Sequence, residues 1–355
     1  MSKKVYVLIF TILLSLITTI FVYNDDFLYS KEIMKIDKIT TKKVEEEQNS
    51  LGIKEKYYYR SIKGTITNGK NKGKTKTVLY EESYSSIVTD KYKVGDKVFI
   101  VKDSIDSLKR DTYLVILFCL FVISIFIVGE YSGLLSVLSV VINSVIFYIG
   151  ILLYSKGINL LFISFAEIIL FTILSLFLAN GINRKTFSAI LSTLISILGI
   201  LIMVLLIFSL NNYKGINFNG MGFLTVPPEL VFISELLIGS LGAVMDVSIT
   251  ISSSISELIN KDKNISINSL KTSSKEIGKD IMSTMTNVLF FTYLCSGLPI
   301  IVLALRNGFS MYNYVTSNYS LELSRFLVGS IGIIMTIPIA TFISIRIFKR
   351  GDINE

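Results

Sequence analysis

The sequence predicts a mainly α polytopic membrane protein of about eight spans, with one small β-barrel-like module outside the bilayer. Three observations predict it. Apolar residues arrive in runs of about 20, enough to cross roughly 30 Å of hydrocarbon at about 1.5 Å per residue. Mean hydropathy is +0.62 and 51% of the 355 residues are hydrophobic, far from a soluble globule. A single sizeable polar stretch, residues 24–111, interrupts the runs and carries strand and turn signals.

The chain opens with Lys3 and Lys4, then an apolar run from Val5 to Tyr23. The run has no small-residue cleavage site at its close, so residues 1–23 read as an uncleaved anchor helix. Residues 24–111 form the polar domain. Its first part, to about Glu55, is charged and reads as a helix or loop leaving the membrane. From Tyr57 the pattern turns to strands: Tyr57–Arg60 and Ile62–Ile66 as one strand or two, then Lys76–Tyr80, Ser86–Thr89 and Lys97–Val101 as further short ones. Asn68-Gly69, Asn71-Lys72-Gly73 and Gly95-Asp96 mark turns between them. The stretch Gly69–Thr75 imitates a phosphate-binding loop. It has one residue too few between its glycines, and it sits between strands.

Seven further spans fill residues 112–350, at about 112–129, 132–154, 158–180, 186–210, 229–250, 285–305 and 323–347. The pair Pro227-Pro228 suits the first turn of the sixth of the eight helices, the one beginning near residue 229. Residues 259–279 read as the main loop on the inner side. Lys and Arg set the orientation. With the N-terminus inside, the inner segments hold twelve Lys or Arg and the short outer loops hold three, Lys156, Lys214 and Arg306. Both termini are then cytoplasmic, and residues 24–111 are extracytoplasmic.

Composition narrows the chemistry. Net charge is +8, with 35 Lys and Arg against 27 Asp and Glu. Nineteen of the 35 lie between Asn24 and Asp111, interspersed with acids and tied to a membrane domain, so nucleic acid is not an expected partner; the lipid bilayer is. There is no histidine, which removes the usual metal ligand and neutral-pH proton shuttle. Cys119 and Cys295 both fall inside predicted spans and suggest neither a disulfide framework nor a thiolate site. No metal, cofactor or enzymatic activity is expected.

Candidate residues are the polar ones inside the spans. Glu235, Gly239, Gly242, Asp246, Thr250, Ser253 and Glu257 follow the spacing of one helix face. A charged group at the bilayer centre costs roughly 2.5–3.5 kcal/mol on insertion scales, so this face should meet protein or water. It reads as an ion or proton path, with a packing seam as the structural alternative. Asp280, Thr284 and Asn287 fall on one face of the next helix, where Asp280 could join Asp246 in an oxygen-rich site. Glu167 lies near mid-span and needs a partner or water. Arg325 could pair with Glu322, Glu167 or Glu235, or reach the outer interface.

Two segments carry a family resemblance. Gly239-Ser-Leu-Gly-Ala-Val-Met-Asp-Val-Ser-Ile-Thr-Ile-Ser-Ser-Ser-Ile-Ser-Glu-Leu258 and Gly278-Lys-Asp-Ile-Met-Ser-Thr-Met-Thr-Asn287 resemble the signatures of YibE/F-like membrane proteins. Lys279 and Ser283 depart from the expected Arg and Gly, while Asp246 and Asp280 match. The resemblance spans about residues 113–348, and the polar domain resembles that of the longer, YibE-type members. It implies a bacterial multi-pass membrane protein, often beside a shorter relative that lacks the β module; the expected protein partner is such a YibF-type relative or a second copy of this chain. It implies no substrate. The expected function is a permease for a small solute or ion working through intramembrane carboxylates. The alternative is a non-transporting membrane subunit whose β module binds a partner or envelope ligand.

Overall fold

A computed structural model describes residues 3–48, 54–86, 89–210, 216–218, 227–312, 315 and 319–351. The chain forms two compact units, residues 1–130 and 131–355.

The first unit holds α1 (Lys3–Tyr23), a 3-10 turn (Asp25–Leu28) and five strands: β1 (Glu32–Gln48), β2 (Lys54–Ile66), β3 (Thr75–Ser83), β4 (Lys97–Val101) and β5 (Ser104–Leu108). It ends with the first part of α2 (Asp111–Ser155). The strands make one antiparallel sheet in the order β3-β2-β1-β4-β5. The longest strand, β1, lies where a helix or loop was expected. The cause is an extra residue. Pairing shifts between Ile36 and Lys38, so Met34, Ile36 and Ile39 face Ile66, Gly64 and Ile62. A bulge therefore keeps all three on the core face while hiding the alternation that marks a strand. Met34, Ile36, Ile62, Val78, Val98 and Ile100 build the core. Gly64 lies under Met34, whose Cγ would stand 2.6 Å from any added Cβ.

The sheet is open, not barrel-like: β3 and β5 are its edges, joined by no ladder. Lys76 of β3 does reach across, bonding the Lys102 carbonyl and pairing with Asp103 at 3.1 Å. The expected strand at Ser86–Thr89 does not form at its described ends. Ser86 has a positive φ of 57°, and the Thr89 hydroxyl accepts from the Ser83 amide at 2.7 Å to close β3; residues 87–88 lie outside the described residues.

Helix α2 is 45 residues long and contains both the second and third expected spans. Its backbone leaves helical geometry at Glu130 (φ 50°, ψ −130°). Among the described residues, seven helices, not eight, are long and apolar enough to cross a membrane.

The second unit contains the rest of α2, then α3 (Leu160–Asn180), α4 (Arg184–Leu210), α5 (Pro228–Lys261), α6 (Ile267–Arg306) and α7 (Ser320–Gly351). Pro228 occupies the first turn of α5, where a missing N–H costs nothing. Helix α5 is the axis, packing against α3, α4, α6 and α7. It buries Phe232, Leu236, Leu237, Val244, Val247, Ile251 and Ile255. The expected inner loop 259–279 is mostly helical. Only residues 262–266 link α5 to α6, and the Ser266 hydroxyl caps α6 by accepting from the Ser269 amide at 3.0 Å. Its polar composition masks a buried face of Leu270, Ser274 and Gly278 at four-residue spacing. Three buried hydroxyls, Ser188, Ser252 and Ser344, tie α4, α5 and α7 with bonds of 2.9–3.2 Å. Asn143 and Ser139 of α2 both bond Ser175 of α3, at 2.7 and 3.1 Å.

Candidate functional site: a carboxylate-lined cavity

A cavity of about 570 Å³ opens in the second unit, walled by α2, α3, α5, α6 and α7. The most unusual group on its wall is Glu167 of α3. The residue is only 5% exposed, and its carboxylate has no hydrogen-bond or ion-pair partner among the described residues. Burying such a group without a partner is costly, so its persistence calls for an occupant, water or a proton. Sequence makes room for it at one position. Glu167 lies where a Cβ on Gly150 would stand, so only glycine at 150 leaves the carboxylate its place.

Across the same cavity is an ion-paired cluster. Arg325 of α7 pairs with Glu235 of α5, and its Nη1 donates to Glu322 Oε1 at 2.6 Å. The guanidinium lies 6.0 Å from the centre of the Phe232 ring. Glu322 and Arg325 are one helical turn apart on α7, which aligns them. The Arg325 side chain is 15% exposed and that of Glu235 is 42% exposed, so the pair is open on the Glu235 side. Tyr293 of α6 rests on Gly239, its hydroxyl 2.6 Å from where a Cβ would be. Thr292, Ser296, Ser164 and Ser234 add hydroxyls to the wall. Three carboxylates and one guanidinium thus line the same cavity, a chemistry suited to cations or protons.

The structure divides the sequence candidates. It gathers Glu167, Glu235, Gly239, Glu322 and Arg325 around this cavity. It leaves the rest of the α5 stripe elsewhere. Gly242, Asp246, Thr250 and Glu257 are exposed and Ser253 is half-buried, while the opposite face of α5 is in the core. The Thr250 hydroxyl bonds the Asp246 carbonyl at 2.7 Å, an internal helical bond. From Gly242 to Glu257, then, the stripe turns away from the core that the opposite side of α5 builds. Asp280, Thr284 and Asn287 are likewise exposed on α6, and neither Asp280 nor Asp246 lines the cavity. Among the described residues no group of three His, Cys, Asp or Glu is placed to hold a metal.

Sequence reasoning missed Gly150 and Tyr293, which carry no polar signal of their own. It also missed a buried ion cluster in the first unit. Lys109, 4% exposed, bonds the Val22 carbonyl and Asp25 at 2.7 Å and Asp111 at 3.0 Å. Lys97 donates to Asp26 at 2.7 Å. Burial disfavours the Lys109 charge, but hydrogen bonds to Asp25 and Asp111 outweigh it and hold its pKa above the usual lysine value. Tyr29 donates to Asp111, and that bond pushes its phenol up to about 12. The signal was present as two charged runs, Asp25-Asp26 just after α1 and Lys109-Arg110-Asp111 leading into α2.

Long apolar helices joined to a small antiparallel sheet, with paired charges held between helices, define a multi-pass membrane protein. The chain belongs to the YibE/F family: the YibE/F-like protein family matches residues 117–350, and the YibE/F family N-terminal domain matches residues 27–112. No match was found among curated proteins or among solved structures.

Proposed function

We propose that this protein is a permease that carries a small cation, or protons coupled to a small solute, through the cavity bounded by Glu167 and the Glu235–Arg325–Glu322 cluster. The observation that carries the reading is the unpartnered Glu167 carboxylate, nine-tenths buried on a cavity wall. Intramembrane carboxylates in this state mark ion and proton pathways. Arg325 would compete with an arriving cation for Glu235, giving the site two states of charge pairing.

The setting proposed is a bacterial cell membrane, both termini cytoplasmic and the sheet outside. The 45 residues of α2 would span about 68 Å if straight, twice the hydrocarbon core, and the break at Glu130 supports two crossings and eight in total. No catalytic role is proposed. The test is flux in proteoliposomes containing the full chain. Glu167→Gln should abolish cation or proton movement while the protein folds and inserts. Undiminished flux through that variant would remove Glu167 from the path.

A second reading has its own observation. The small and polar α5 face of Gly242, Asp246 and Thr250 is uncovered in the single chain. Exposed to lipid it would be costly, so a second copy or a shorter family member would cover it. In this reading the protein is a membrane subunit, and its sheet is the partner-binding element.

A further inference from the structure

A second cavity of about 460 Å³ lies between α6 and α7, away from the carboxylate-lined one, and its chemistry is the opposite. Lys271, Lys275 and Lys279 stand along its α6 rim, and Met282 continues the same face toward the middle of the helix. Across from them are Ile334, Ile337, Pro338 and Phe342 of α7. The four-residue spacing puts the lysines on one face of α6, spread over about 12 Å of axis. Asp280 falls about 100° or more from that face, so it does not neutralise it. Glu276 does engage Lys279, at 2.7 Å. Lys271 and Lys275 form no ion pair among the described residues, and both are exposed. A fourth cation borders the groove, since the Arg346 guanidinium stacks 4.5 Å from the centre of the Phe342 ring. The floor is apolar yet open: Ile334 is 50% exposed and Phe342 55%.

We infer that this groove binds an anionic phospholipid. The polarity runs in the sense such a lipid needs. The cations cluster toward the helix ends, where Lys271 and Arg346 lie, and the apolar wall of Met282 and Ile334 runs toward mid-helix. A phosphate headgroup would sit among the lysines, and one acyl chain would lie along Ile334 and Ile337. Basic grooves between membrane helices take anionic headgroups by this arrangement. Gly278 keeps the two helices close beneath it, with Ile337 Cγ2 2.6 Å from where a Cβ would be. The inference is independent of the transport reading and holds for either role of the protein.

The test uses the purified full chain in mild detergent and native mass spectrometry. Phosphatidylglycerol and phosphatidylcholine with identical acyl chains are added at equal concentration. Each lysine near a lipid surface is worth about fivefold in binding, and Lys279 is partly engaged, so phosphatidylglycerol should be retained about tenfold over phosphatidylcholine or more. The combined variant Lys271→Gln, Lys275→Gln and Lys279→Gln should erase that preference. Ile334→Trp, which fills the groove without touching charge, should lower retention of phosphatidylglycerol at least about tenfold. Equal retention of both lipids by the wild type overturns the inference, as does retention unchanged by Ile334→Trp. Glycerol phosphate is the third arm. If it displaces phosphatidylglycerol at equal concentration, the groove is a site for free phosphate esters and the lipid assignment fails. Should the triple variant not fold, the headgroup comparison and Ile334→Trp decide.

Discussion

At the scale of single residues, the cavity depends on Gly150 as much as on the acids. Gly150→Ala should clash with Glu167 and destabilise the second unit by about 1–3 kcal/mol, as overpacking does elsewhere. Glu167→Gln should leave stability near wild type or raise it, because it removes the charge that burial opposes. A thermal melt of both variants in one detergent checks this; a strongly destabilised Glu167→Gln would make the carboxylate a structural member. In the first unit, Tyr29 and Lys109 predict a pH response. Both have folded-state pKa values raised above their ordinary ones. The Tyr29 contribution is therefore complete below about pH 10 and is lost as pH rises toward 12, and that of Lys109 is likewise lost on the alkaline side. Melting temperature should fall across that window, and Tyr29→Phe should flatten part of the fall. A melting curve indifferent to alkaline pH would show that the cluster does not hold this unit together. Residues such as Glu167 and Arg325 were legible because a charge inside an apolar run stands out. Gly150 and Tyr293 were not, since only a neighbouring helix gives them meaning.

At the scale of elements, β1 and α5 show how period decides what can be read. A bulge in β1 breaks the alternation by one residue, so a 17-residue strand reads as charged coil. Helix α5 has an unbroken period, and its two faces were separable by spacing alone. Which face turns inward was not. Hydrophobic residues on the other side, from Phe232 to Ile255, pack against four helices and turn Asp246 outward. That placement predicts cross-linking. Gly242→Cys should form a disulfide between two copies in the membrane if the face is covered by a second chain, while Ile251→Cys, buried in the core, should not. Non-reducing electrophoresis of membranes distinguishes the two. A dimer band from neither variant would favour a different partner over self-association.

At the scale of the whole molecule, orientation in the membrane fixes which side each charged surface meets. Lys261→Cys should react with an impermeant thiol reagent only from the cytoplasmic side, and Lys72→Cys in the β2–β3 turn only from outside. Labelling of Lys261→Cys in intact cells would invert the arrangement and move the lipid groove to the outer leaflet. The sequence by itself determined the membrane class, the polar domain between the first two apolar runs and the position of most helices. These follow from local hydrophobic length and period, which neighbours in the chain supply. Only the tertiary structure decided that Glu167, Glu235, Glu322 and Arg325 share one cavity while Asp246 and Asp280 lie outside it. That outcome depends on helix rotation, set by packing between residues far apart in sequence, and no spacing within one helix encodes its angle to the others.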